Sequence, residues 1–197
     1  IFNYKPLHSE LEEEFKSKFQ KFINPEKKGT LYIDLDLDLE IIHSQYSKHL
    51  KRNLKKAEQL NLKIESTISE QILIDFASIH SLMQDKRAIH HYTKKNIIDL
   101  GNFLIEHKAG ILLTCFYENK MIGGIMLVFE GNKANYYIGA SDPNYKNLPQ
   151  SHILHNYAID YLKSIGFKYY DFGGFGIDVA ENSQIYNINR FKLNFGN

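Results

Sequence analysis

The sequence predicts an α+β fold, a mainly antiparallel sheet flanked by helices. Three observations carry that expectation. TLYIDLDLDL, residues 30–39, alternates apolar and acidic residues with period two, as a half-exposed strand does. Residues 110–141 hold three successive strand-like runs, separated by Glu118-Asn119 and by Glu130-Gly131-Asn132, turn residues that make an antiparallel meander. Elsewhere, apolar residues recur every three or four positions, the period of helices buried along one face.

Taken in order, SELEEEFKSKFQKFI (9–23) predicts a helix capped by Ser9, with Leu11, Phe15, Phe19 and Phe22 on one face and acids in its first turns. NPEKKG ends it, and the alternating strand follows. Asp34, Asp36 and Asp38 tempt a cation site, but alternate strand positions point outward together rather than around one ion. One long helix is expected from about Glu40 to Leu60, then a short strand, LKIEST. Helices capped by Ser69 and Thr93 precede the meander. After it come a connection rich in Pro and Asn (SDPNYKNLPQ) and a helix, SHILHNYAIDYLKSIG, stopped at Gly166. KYYDFGGFG predicts a short strand running into a glycine-rich turn, and a last helix from about Ser183 carries NINRFKLNFG.

With 197 residues, 43% hydrophobic and 24% charged, the chain has an ordinary globular composition. A formal net charge of +1 argues against wholesale coating of nucleic acid, so no stable DNA binding is expected and any electrostatic role is local. The single cysteine, Cys115, sits in an apolar run and has no partner for an internal disulfide, which favours a reducing, cytoplasmic setting. No stretch approaches the length of a membrane span.

Three constellations have chemistry in them. Lys48, Lys51, Arg52, Lys55 and Lys56 come with no acid between Glu40 and Glu58. On a helix they are either a solvated face or a phosphate site, with Arg52 the member able to grip a phosphate by two hydrogen bonds. YYDFGGFG (169–176) is either a tight turn or a place of close backbone approach to a ligand. It is not a dinucleotide fingerprint, since the GxGxxG spacing is missing. In the closing helix, Ile188, Phe191 and Phe195 form an apolar stripe with Lys192 one residue off it. An ammonium there either snorkels to solvent or sits at a pocket rim, to stabilise an oxyanion or pin a phosphate. His152 and His155 stand i,i+3 on a helix without an identifiable third ligand, so no metal is expected.

KHLKRNLKKAEQLNLKIE, HNYAIDYLKSIGFKYYDFGG and NRFKLNFG, in that order, resemble the FemAB-type family of peptidoglycan interpeptide-bridge aminoacyltransferases and their BioF2-like acyltransferase relatives, within the GNAT superfamily. The resemblance covers roughly residues 30–196 and is most specific in the DFGG turn followed by RFK and FG. It implies a GNAT-like mixed sheet over 30–197. It also implies that 1–29 is a helical tail of a preceding unit, in keeping with a start at Ile1. It implies transfer of an aminoacyl or acyl group from an activated ester or thioester to an amine. The acceptor is a peptidoglycan precursor or another amine, lipid-linked substrates included, and the donor is aminoacyl-tRNA or acyl-CoA, with no tightly bound cofactor. Lys48, Lys51, Arg52 and Lys55 then match the basic helix that meets substrate phosphate. Arg190, Phe191 and Lys192 match the terminal RFK, with Gly173 and Gly174 in the adjoining turn. Lys192 is expected to stabilise the oxyanion or a phosphate, Asp171 to orient the glycine turn or serve as base, and Tyr186 to donate a proton. One departure bears on the donor. Coenzyme-A-dependent relatives bind pyrophosphate through a Gln/Arg-x-x-Gly-x-Gly/Ala loop, whereas the corresponding KNLPQSH has no glycine, which leans toward aminoacyl-tRNA. The alternatives are an acyl-CoA-dependent N-acetyltransferase and, from another class, a non-catalytic module binding an anionic ligand.

Overall fold

The computed structural model describes residues 28–66, 69–87 and 92–196. The predicted helix over 9–23 lies outside them. Six strands form one sheet in the order β1-β6-β5-β4-β3-β2. They are β1 (Lys28–Asp34), β2 (Lys63–Glu65), β3 (Gly110–Tyr117), β4 (Lys120–Glu130), β5 (Lys133–Ser141) and β6 (Tyr169–Gly176). Every pairing is antiparallel except β5 with β6. The meander forms as predicted, with Glu118 and Asn119 both at positive φ in the β3–β4 turn and Gly131 in the next.

The helices are α1 (Leu39–Ser44), α2 (Lys48–Gln59), α3 (Glu70–Arg87), α4 (Lys94–Glu106), α5 (Gln150–Ser164) and α6 (Gln184–Leu193). Alternation along β3 divides the core. Ile111, Leu113 and Cys115 join the residues of α1, α2 and α5 on one face, and Leu112 joins those of α3 and α4 on the other. Leu73, Phe76, Ala77, His80 and Gln84 give α3 its buried face at helical spacing. Thr93 and Asn96 close a capping box on α4.

Three expectations are corrected. The strand at 30–39 stops at Asp34, whose carboxylate accepts the Asp36 amide and turns the chain. Asp36 faces Lys168 at 3.5 Å and Asp38 immediately precedes α1, so the three acids do not act together. The single helix over 40–60 is two, broken at residues 45–47. Ser47 caps α2 by accepting the Leu50 amide at 3.0 Å, and its own amide donates to the Asn194 carbonyl at 2.9 Å. The chain's end therefore stitches this break, with Phe195 fully buried and edge-on to Tyr46 at 5.7 Å. Finally, the glycines of KYYDFGGFG do not leave the sheet. β1 supplies partners for them, Thr30 to Gly174, Gly29 to Phe175 and Lys28 to Gly176.

Candidate active site

The parallel pair β5–β6 stays in register only from Lys133–Tyr169 to Asn135–Asp171, and then the strands part. Each is bent by a bulge at that level. In β5 the register steps from Met126–Ile138 to Leu127–Tyr136 and leaves Tyr137 without a partner. In β6 it steps from Tyr32–Asp171 to Thr30–Gly174, an extra residue accommodated by Gly173 at φ 73°. A bulge sharpens local twist, so two facing bulges open a wedge. A cavity of about 430 Å³ fills it, walled by Tyr136, Ser151, His155, Phe172, Phe191 and Lys192. A second concavity of similar size, about 400 Å³, lies between the α2–β2 and β3–β4 turns and has no buried ionisable side chain in its wall.

Lys192 is the one buried cation among the described residues. Its Nζ donates to the Gly173 carbonyl at 3.1 Å and to the Gly174 carbonyl at 2.5 Å. It does not snorkel. The carbonyls take two of its three protons and leave the third for the cavity. Burial lowers its pKa to about 8, against the opposing pull of Asp171. Asp171 secures the bulge that presents those carbonyls. It accepts the Gly173 amide at 2.7 Å and the Thr30 hydroxyl, which also donates to the Gly173 carbonyl. One helical turn before Lys192, buried Asn189 pairs with both backbone groups of Gly176. It accepts from the amide at 3.2 Å and donates to the carbonyl at 2.8 Å. Two side chains on one face of α6 thus latch it to β6.

His155 closes the inner wall. Its ring lies 4.9 Å from that of Phe172 and 4.8 Å from that of Tyr136, and its Nδ1 is 2.6 Å from the Tyr170 hydroxyl. Burial pushes its pKa down to about 3, helped by His152 and the Lys192 charge, while burial drives the Tyr170 phenol well above its usual value. His152 falls to about 4 for the same reason, aided by His49. Both imidazoles are neutral in the folded chain over a range where free histidine is charged. Between pH 6.5 and about 4 the unfolded chain thus takes up protons the folded chain refuses, and stability falls as pH falls. Urea unfolding should show its midpoint dropping steadily below about pH 6.5, as the unfolding free energy falls by up to roughly 1.4 kcal/mol per pH unit per site. A midpoint flat to about pH 4 would contradict two buried neutral imidazoles.

The structure brings Lys192, Phe191, Asp171, Gly173 and Gly174 to this one place. Tyr186 is not in the cavity wall. Its half-buried ring lies under the exposed Arg190, whose guanidinium is 5.9 Å from the ring centre. Ile188, expected to pack inward, is 42% exposed at the cavity mouth, because Asn189 and Lys192 take the inner face of α6. Lys48, Lys51, Arg52 and Lys55 are exposed along α2, and none of them pairs with a carboxylate among the described residues. Arg52 reaches His49 at 3.2 Å. The helix is linked to the cavity by a row of rings, His49 to His152 at 5.6 Å and His152 to Phe191 at 5.1 Å.

The sequence reading missed Asn189, Tyr136, Tyr170 and the role of His155. Asn189 had a signal, since it stands three residues before Lys192 and shares its helical face. His155 had one as well, because it sits among the apolar positions of α5 rather than on its polar side.

A family model described as an acetyltransferase (GNAT) domain matches residues 44–184. The chain belongs to this family. Among individual relatives, it is 30% identical over 98 residues to a "Lipid II:glycine glycyltransferase" of Staphylococcus haemolyticus, covering 50% of this chain and 21% of that protein. It is 25% identical over 159 residues to the protein of the same name in Staphylococcus aureus, covering 81% of this chain and 32% of that one. The chain therefore spans a third or less of these relatives' length. Its fold matches the crystal structure of FemX with a TM-score of 0.78 at 14% identity, over 95% of this chain and 65% of that one. It also matches the C-terminal domain of a putative lysylphosphatidylglycerol synthetase of Agrobacterium fabrum, with a TM-score of 0.62 at 12% identity over 86% and 58%. The GNAT-like mixed sheet expected from the sequence is the observed fold. No helix among the described residues is long and apolar enough to cross a membrane.

Proposed function

We propose that this GNAT-family chain is the catalytic unit of an aminoacyltransferase. It moves an aminoacyl group from the ester of an aminoacyl-tRNA to an amine on a peptidoglycan precursor, in the cytoplasm. The observation that carries this is Lys192, an ammonium fixed by two backbone carbonyls with a spare proton in an open wedge between two strands. The names of the relatives support the acceptor class.

The chemistry asks for a held carbonyl and a stabilised charge. The acyl chain enters the wedge, where β5 and β6 beyond Asn135 and Asp171 are no longer each other's partners. The neutral acceptor amine attacks the carbonyl carbon and a C–N bond forms. The carbonyl π pair moves to oxygen and is met by the third N–H of Lys192. The intermediate collapses, the ester C–O bond breaks, and the amine's proton ends on the departing hydroxyl. Asp171 acts on the bulge rather than on substrate, since its Oδ1 takes both Gly173 and Thr30 and the residue is not in the cavity wall.

An ester donor is favoured over acyl-CoA by the loop before α5. That helix begins after Pro149, with no side-chain cap. Pro149 at the cap has no amide to donate, and residues 146–152 hold no glycine to let the backbone close around a pyrophosphate. The unpaired cations of α2 suit an RNA backbone. Substituting Arg52→Ala and Lys55→Ala should weaken binding of an aminoacylated RNA hairpin and flatten its salt dependence by about one logarithmic unit per cation removed. Calorimetry of the full-length protein with the hairpin, a UDP-linked muropeptide and coenzyme A tests the reading. Binding of coenzyme A alone, untouched by Arg52→Ala, would move the protein to an acyl-CoA-dependent reaction.

A further inference from the structure

We propose that His155 is a second, uncharged hydrogen-bond donor to the acyl carbonyl in the wedge, held in its Nε2–H form by the Tyr170 hydroxyl. The inference rests on the acyl-transfer reading and adds a residue to it.

The geometry is that of a fixed ring. His155 lies on α5 in the buried row with Leu154, Ala158, Ile159 and Leu162, and its side chain is 2% exposed. Rings enclose it on several sides, with Phe191 at 5.4 Å and Phe195 at 5.7 Å completing those named above. A ring so enclosed cannot rotate freely to exchange its nitrogens. Nδ1 is engaged by Tyr170, whose phenol is fully buried and keeps its proton. With that O–H donated to Nδ1, the imidazole's own proton stands on Nε2. Nε2 has no protein hydrogen-bond partner among the described residues. His155 forms part of the cavity wall beside Lys192 and Phe172.

The charged and titratable groups facing the ring explain why this donor is neutral. They are His152 on the same helix, Lys192 from α6, and the phenols of Tyr136 and Tyr170 from the sheet. Among the described residues no carboxylate touches the ring, so none of them compensates an imidazolium in so buried a place. A group of this kind is a poor proton acceptor but a suitable donor to an oxygen that gains charge. It also removes an objection to a site with one lysine. The third N–H of Lys192 is a single donor, and a tetrahedral oxyanion is better held by two. The atom balance of the reaction is unchanged, because His155 shares its proton with the oxyanion and recovers it when the carbonyl re-forms.

The first test reads the ring directly. Long-range 15N–1H correlation on the 15N-histidine-labelled full-length protein should show, among the histidines that do not titrate between about pH 5 and 9, an Nε2–H tautomer that is lost from the spectrum in His155→Gln. Kinetics supply the second. His155→Leu should lower kcat by about 10²-fold with KM changed little, His155→Gln, which keeps a terminal N–H, should recover about tenfold of that loss, and Tyr170→Phe should lower kcat by about tenfold. Tyr170→Phe should also mix the His155 tautomers, which a purely structural tyrosine would not do. An Nδ1–H tautomer, or a His155→Leu protein with undiminished kcat while Lys192→Ala is impaired, would overturn the role of His155 and leave acyl transfer standing. Absence of turnover by the unsubstituted protein would overturn both.

Discussion

Lys192→Ala is expected to lower kcat by about 10²–10³-fold, with the fold retained. The substitution removes the donor aimed at the cavity and leaves the Gly173 and Gly174 carbonyls without their partner, so some loss of stability accompanies it. A pH profile separates the two effects. The acceptor amine attacks only when neutral, so the rate should rise with pH until Lys192 begins to lose its proton. Lysine is charged below its pKa, and burial has brought that to about 8, so the rate should fall again on the alkaline side near that value. In Lys192→Arg the guanidinium stays charged, and the alkaline fall should disappear even if the rate is lower throughout. Steady-state kinetics across about pH 6 to 10 would read this, and an alkaline limb untouched by Lys192→Arg would assign it to another group.

Asn189→Ala should be the most damaging substitution outside the cavity wall. Its amide satisfies both backbone groups of Gly176 where β6 ends. Removing it leaves a half-buried N–H and C=O without that partner, at about 1–2 kcal/mol. It also frees one of the two points at which α6 is latched to the strand, so Lys192 loses its aim and kcat should fall by about tenfold with KM less affected. Asn189→Asp keeps the acceptor for the Gly176 amide but sets a carboxylate against the Gly176 carbonyl, so it should not restore stability. Thermal unfolding of the two variants beside the unsubstituted protein checks this. Equal midpoints would mean that Asn189 holds nothing in place.

Much of the architecture was legible because it is local. The meander announced itself through its turns, and the helices through caps such as Thr93 and Ser183. What escaped was set by partners far along the chain. Nothing near Ser47 signals that Asn194 will meet it, so one long helix was expected where there are two. Nothing near Gly174 signals that Thr30 will pair with it, so a turn was expected where the strand continues. In the site, the RFK segment and the DFGG glycines were legible through resemblance, and the structure adds that the lysine of one is bonded to the carbonyls of the other. His155 was weighed only as a metal ligand. Its part depends on Tyr170, fifteen residues away on a different element, and no spacing rule connects a helix residue to a strand residue in that way.

In the proposed reaction an amide forms at the β5–β6 wedge from an activated ester. Mass spectrometry of a single-turnover reaction tests it most directly, with an aminoacylated RNA hairpin as donor, a UDP-linked muropeptide as acceptor, and acetyl-CoA as the rival donor. A muropeptide heavier by one aminoacyl group is expected from the RNA donor, none from acetyl-CoA, and almost none with Lys192→Ala. Product from acetyl-CoA alone, or product from the RNA donor at an undiminished rate in Lys192→Ala, would contradict it.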